Sequence, residues 1–254
     1  MTTGRSRAKL SVNVNKVATL RNSRGGSVPN VVEATRVCLA AGAPGITVHP
    51  RADARHITFG DVREIAAGLQ PLKGRIELNI EGDPRPDLLG LAEDVRPDQF
   101  TLVPVRAGEI TSQAGWDPSG DAGELRAIVR RLKDAGIRVS VFVDPDETAV
   151  RWAAAAGGDR IELYTEPYAH AFAASSAPLS ETLAPFVRAA QAAVDLGLGV
   201  NAGHDLDLEN LPDFVQALPR LDEVSIGHAL ISYALYVGLR QAVLEYREAA
   251  GDII

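Results

Sequence analysis

Lys9–Asn15 reads KLSVNVN and runs straight into Lys16–Arg24, KVATLRNSR. The first half alternates apolar and polar residues, which is the period of a strand with two different faces. The second half reads as a loop, and the strand end and loop together carry Asn13, Asn15, Lys16, Arg21 and Arg24. A buried strand that ends in amides and cations predicts a ligand site at its carboxyl end. Seven further stretches repeat the layout: Gly45–His49, Arg75–Glu81, Gln99–Pro104, Arg138–Asp144, Arg160–Thr165, Gly199–Gly203 and Glu223–Gly227.

Between these strands the apolar residues fall three and four apart. That spacing predicts helices at Val31–Ala41, Asp61–Leu69, Pro86–Val95, Gly123–Asp134, Asp146–Ala156, Leu179–Leu196, Leu208–Leu218 and Ala229–Ala249. Strands alternating with helices of this length are successive βαβ units on a parallel sheet. Such strands are covered on both faces, which explains runs such as GITV and VSVFV. Gly42, Gly136, Gly157 and Gly197 each stand between a helix and the next strand, where a left-handed residue ends a helix. Nothing in composition divides the chain. The 254 residues therefore predict an α/β fold: one (β/α)8 barrel over 9–254 with extra helical segments, behind a flexible tail at 1–8.

Composition narrows the function. The formal charge is −7, which argues against general affinity for nucleic acid or an anionic membrane surface. No apolar run is long enough for a membrane span, and MTTGRSRAKL lacks the apolar middle of a signal peptide. The one cysteine, Cys38, sits in an apolar helical run and reads as a small core residue in a cytoplasmic protein.

Catalytic groups of such barrels gather at the carboxyl ends of the strands. Those ends carry Asn13 and Asn15, His49, Glu81, Pro104, Asp144, Glu162, His204 and His228. Glu77, Asn79 and Glu81 share one face of the third strand, and a central barrel strand has no solvent face. Glu81 is thus expected at the mouth and Glu77 near the bottom. A carboxyl held there, like Glu162 in IELYT, would be desolvated and suited to proton transfer near neutral pH. VNAGHD and SIGHAL close the last two strands, and each is expected to open a helix whose amides cradle a phosphate. Arg24, Arg51, His56 and Thr111 would serve a second anion. The loop at 105–118 suits a lid. The histidines lack carboxylate partners at ligand spacing, and no HExxH or CxxC motif is present, so no metal is expected. Three readings remain at this level: a barrel enzyme acting on phosphorylated substrates, an aldolase or isomerase using Lys16 as a Schiff-base nucleophile, and a non-catalytic barrel that binds phosphorylated metabolites.

The motifs NVNKVATLRNSRGG, GITVHPRADARHI, NIEG, EITSQAGWD, VSVFVD, IELYTEPYA, VNAGHDL and SIGHALI occur in order from Lys9 to Tyr246. In this the chain resembles the pyridoxine 5′-phosphate synthase family of vitamin B6 biosynthesis. The resemblance implies a homo-octameric (β/α)8 barrel without metal or organic cofactor. It implies condensation of 1-deoxy-D-xylulose 5-phosphate with 3-amino-2-oxopropyl phosphate, releasing phosphate and water. Carried over by position, His49, Glu81 and His204 would be acid/base groups and Glu162 a stabiliser of transition-state charge. Asn13, Arg24, Gly227 and His228 would hold the aminoketone phosphate, and Arg51, His56 and Thr111 the deoxyxylulose phosphate. Two departures stand out. Many members have Asp-His where this chain has Asn15-Lys16, the pair expected to contact the sugar's hydroxyl and keto groups. Many have glycine where this chain has Asp205, whose carboxylate would repel a phosphate unless only its backbone N–H faces the ligand.

Overall fold

The structure is a computed structural model that describes residues 7–104 and 114–252. Eight parallel strands close in sequence order into a barrel: β1 Lys9–Asn13, β2 Gly45–Val48, β3 Glu77–Gly82, β4 Gln99–Leu102, β5 Arg138–Val143, β6 Arg160–Leu163, β7 Gly199–Gly203 and β8 Glu223–Ile226. β1 pairs with β8 as well as β2, so the sheet has no free edge. The (β/α)8 architecture expected from the alternation is the one observed.

The eight expected helices appear near their predicted bounds, as α2 Val31–Ala40, α3 Phe59–Leu69, α4 Pro86–Val95, α5 Gly123–Asp134, α6 Glu147–Ala155, α8 Leu179–Asp195, α9 Leu211–Ala217 and the pair α10 His228–Val237 and α11 Leu239–Ala249. The last pattern is thus two helices, parted at Gly238, whose φ of 85° no helix interior accommodates. Two helices are unexpected. The stretch after β1 is not a loop but α1, Asn15–Asn22, and α7 covers Glu166–Ala174. The glycines at 42, 136, 157 and 197 have φ of 84°, 79°, 91° and 76°, as helix-ending residues should. At the start, Ala8 is buried and donates its N–H to Ala250 O at 3.1 Å, so order begins before β1.

Strand alternation sorts two environments. Leu10, Val12, Ile46, Val48, Ile80, Phe100, Leu102, Val139, Val141, Ile161, Leu163, Val200, Val224 and Ile226 are buried in the core between sheet and helices. Cys38 belongs to that core, where burial pushes its thiol up to about 12, too high for a nucleophile at neutral pH. The alternate residues enclose a polar barrel interior instead of the usual branched aliphatic layers. Ser11 Oγ meets Thr47 Oγ1 at 2.7 Å, Asn79 Nδ2 donates to Thr47 Oγ1 at 3.3 Å, and Thr101 Oγ1 donates to Asn79 Oδ1 at 3.1 Å. At the amino-terminal end Glu77 bridges Lys9 at 3.0 Å and Arg138 at 2.6 Å, which places it at the bottom as expected. Hydrophobic energy therefore holds the helices to the sheet, and hydrogen bonds organise the inside.

Candidate active site

At the carboxyl ends of the strands lies a cavity of about 510 Å³. That volume suits a small-molecule site. His49, Glu81, Glu162, His204 and His228 all line it, as do Asn13, Asn15, Lys16, Arg51, His56, Asp205 and Gly227. These strand ends therefore converge as the sequence predicts, whereas Pro104 and Asp144, expected with them, do not line the cavity.

The entrance to α1 is built by amides. Asn13 Oδ1 accepts from Asn15 N at 3.0 Å, and Asn15 Oδ1 accepts from His49 N at 2.9 Å, tying β1 to β2. Asn13 Nδ2 donates to Glu81 Oε2 at 3.3 Å, and Ser225 Oγ donates to Glu81 Oε1 at 3.1 Å. Glu81 is thus oriented by β1 and β8. Burial pushes its carboxyl up to about 7; the Ser225 hydrogen bond opposes the rise and the charge of Glu223 adds to it. Burial likewise holds Glu162 well above the usual carboxyl value, with Glu81 and Glu223 adding to the effect. Glu162 Oε2 has no hydrogen-bond partner among the described residues. Two desolvated carboxyls in one cavity cannot both ionise cheaply.

His49, His56 and His204 are held neutral. Burial lowers His49 well below its usual value, and the neighbouring His56 and Arg51 deepen the shift. Its Nε2 is buried without a partner among the described residues, so the ring offers an uncommitted nitrogen to a ligand. His56 is lowered to about 4, first by burial and then by Lys16 and Arg51. Its Nδ1 accepts from Ile57 N at 2.9 Å, which leaves the proton on Nε2 and makes that atom a donor. His204 is lowered by burial, an effect that Asp205 opposes and Lys16 strengthens. It has a φ of 27°, a strained backbone for a residue with a side chain, and its ring stands 5.9 Å from that of Phe142.

Gly203, just before it, has no room for a side chain: a Cβ there would lie 2.2 Å from Ser225 O. The Gly203–His204 pair does not open a helix, however. Turns and irregular backbone fill residues 204–210 before α9 begins at Leu211. The Gly227–His228 pair does, since α10 starts at His228. Only the second of the expected cradles is therefore a helix N-terminus.

One expected residue does not join this group: Arg24 is exposed beyond α1 and does not line the cavity. Thr111 lies outside the described residues, as does most of the loop expected to form a lid. Beyond that stretch, Gly115 N donates to Asp144 Oδ1 at 2.9 Å and Trp116 Nε1 to Leu102 O at 2.9 Å, which anchor its carboxyl end to the rim. Ser225, Asp207 and Phe142 also line the cavity, and sequence reasoning missed all three. The alternation in EVSIG, which puts Ser225 on the face shared by Glu223 and Gly227, is the signal that would have found the serine.

The fold recurs widely. Thiamine phosphate pyrophosphorylase from Pyrococcus furiosus superposes with a TM-score of 0.61 at 15% identity, covering 98% of each chain. The tryptophan synthase alpha subunit from Legionella pneumophila gives 0.64 at 14% identity, over 98% of this chain and 94% of that one. At such identity the likeness shows the barrel alone. Sequence relatives are far closer. A pyridoxine 5′-phosphate synthase from Bacteroides fragilis is 54% identical over 239 residues, 94% of this chain and 98% of the relative. One from Xanthomonas oryzae is 51% identical over 245 residues, covering 94% of each. The family model for the pyridoxal phosphate biosynthesis protein PdxJ matches residues 10–252. This chain belongs to the PdxJ family.

Proposed function

We propose that the protein is a pyridoxine 5′-phosphate synthase, joining 1-deoxy-D-xylulose 5-phosphate to 3-amino-2-oxopropyl phosphate with loss of phosphate and water. The observation that carries this reading is the convergence of Glu81, Glu162 and three neutral-leaning histidines on one cavity in a chain of this family. The amine of one substrate adds to the ketone of the other, and water leaves to give an imine. Loss of phosphate, carbon–carbon closure and loss of a second water then give the aromatic ring. Each stage moves a proton, so groups that hold and release protons near neutral pH are required.

His49 and Glu81 shuttle those protons. His49 is a base because it is neutral, and Glu81 is available in both forms because its carboxyl titrates near 7. His204 acts at the opposite wall as a further proton donor or acceptor, and Glu162 balances the positive charge that develops on the nitrogen. His56 Nε2–H and Arg51 bind one phosphate, with Thr111 joining them. The amides of Gly227 and His228, with Asn13, bind the other. Asn15 and Lys16 meet the sugar's hydroxyl and keto groups, and Asp205 presents its backbone rather than its carboxylate. The chain works in the cytoplasm as a homo-octamer. Exposed Leu235 and Tyr236, 71% and 87% accessible at the end of α10, support a contact with a second copy.

Incubating the protein with both phosphates tests the reading. Pyridoxine 5′-phosphate and inorganic phosphate should appear in equal amounts. Borohydride trapping of a sugar phosphate on Lys16, with no pyridoxine 5′-phosphate formed, would favour the aldolase reading instead.

A further inference from the structure

Beneath the two carboxyls of the cavity lies a third that contributes nothing to its wall. Glu223 opens β8, is 3% accessible, and sits across the ladder from Lys9 on β1 and Asn201 on β7. Among the described residues its ion-pair partner is Arg160 of β6, at 3.3 Å. Arg160 Nη1 also donates to Asn201 Oδ1 at 3.1 Å, and Asn201 Nδ2 donates to Gln99 Oε1 at 3.3 Å. Gln99 in turn accepts from Arg138 Nε at 3.0 Å, and Arg138 reaches Glu77 at 2.6 Å. The charged groups facing Glu223 are thus Arg160 from β6, Arg138 from β5, Glu77 from β3 and Lys9 from β1. Ser225, two residues along the same face of β8, hydrogen-bonds Glu81 Oε1 at 3.1 Å, and Asn201 of β7 stands in register with both Glu223 and Glu162, so the three carboxyls share one interior and the charge of Glu223 reaches the other two.

Burying a carboxyl under two others is expensive unless it does something for them. We infer that Glu223, held by Arg160, is a positioning residue that sets how many protons Glu81 and Glu162 carry while touching no substrate itself. When Glu223 is ionised, a second negative charge in the dry interior is disfavoured and Glu81 keeps its proton to higher pH. Burial raises Glu223 to about 7 as well, so Glu81 and Glu223 titrate over the same range, while Glu162 is held well above the usual carboxyl value. Arg160 keeps the interior from expelling charge altogether. The catalytic part of this inference rests on the role proposed above for Glu81; the coupling between the carboxyls does not.

Glu223→Gln removes the charge and keeps the shape. Carboxyl titration of the folded protein by infrared difference spectroscopy, with Glu81→Gln assigning the Glu81 band, should show the Glu81 midpoint falling by about one pH unit in that variant. The acid limb of kcat should move down with it, while KM for either phosphate changes little. Glu223→Asp, which keeps the charge, should restore the wild-type midpoint. Adding Arg160→Met to Glu223→Gln leaves no uncompensated cation and should take back part of the fall; this double variant also serves if the single one does not fold. An unmoved Glu81 band in these variants, or lost stability without a shifted midpoint, overturns the inference. A shifted band with an unmoved kcat profile upholds the coupling and instead removes Glu81 as the group that governs the rate.

Discussion

Glu81→Gln is expected to lower kcat for pyridoxine 5′-phosphate formation by roughly 10²–10⁴-fold while making the protein more stable in mildly alkaline buffer. The two effects have one cause. Burial holds the Glu81 carboxyl at about 7 against an ordinary 4.5, so between those values the folded chain keeps a proton that the unfolded chain gives up. The stability tied to that proton is present at low pH and is lost as pH rises through about 7. Above it, the ionised carboxylate costs about 3 kcal/mol at most, since a tenfold change in proton affinity is worth roughly 1.4 kcal/mol. Glutamine has the same shape and no charge. Its amide oxygen can accept from Asn13 Nδ2, and its amide nitrogen can donate to the rotatable Ser225 hydroxyl. Thermal melts should show a gain of a few degrees above neutral pH that shrinks in acid. Retained turnover would remove Glu81 from the chemistry, and an unchanged melting temperature would mean that the carboxyl is not desolvated.

The second large effect is expected at His49. The ring is buried, is kept neutral by its own desolvation and by His56 and Arg51, and has an uncommitted Nε2. Its backbone N–H is already held by Asn15, so replacing the side chain leaves the β1–β2 tie in place. His49→Gln should lower kcat by ~10²–10⁴-fold with little change in KM, because glutamine can hydrogen bond but cannot take up a proton. Its pH signature is opposite to that of Glu81. With its value held well below 6.5, His49 is already neutral across the neutral range and contributes no limb there. Steady-state rates with each phosphate varied in turn check this. A kcat within a few-fold of wild type would make His49 a binding residue only.

Much of this site is legible in the strands. Polar residues at every second position can only face inward in a closed parallel barrel, so Asn13, Glu81, Glu162 and the terminal histidines can be placed from the chain alone. Gly199–Gly203 and Pro86–Val95 have the predicted bounds because a glycine or proline marks their starts. What stayed hidden depends on tertiary contacts. α1 has few apolar residues, and partners distant in sequence hold it: Arg21 forks onto Asp61 at 2.5 and 2.9 Å, and Asn22 Nδ2 donates to His56 O at 2.9 Å. α7 starts at Glu166-Pro167 and is rich in alanine, so its apolar stripe is faint. The break at Gly238 interrupts a run whose apolar spacing continues on both sides. The polar column from Glu77 to Glu223 was half visible: Glu77 could be placed, but pairing it with Arg138, and Glu223 with Arg160, requires the barrel register.

On the proposed mechanism, catalysis depends on a desolvated carboxyl at the barrel mouth that moves protons during ring closure. The pH dependence of kcat in the wild-type protein, at saturating levels of both phosphates, reads that proton inventory without any substitution. The rate should climb with pH, bend near 7 as Glu81 loses its proton, and lose that bend in Glu81→Gln. A profile that is flat through neutrality, or a bend that survives unchanged in Glu81→Gln, would contradict it.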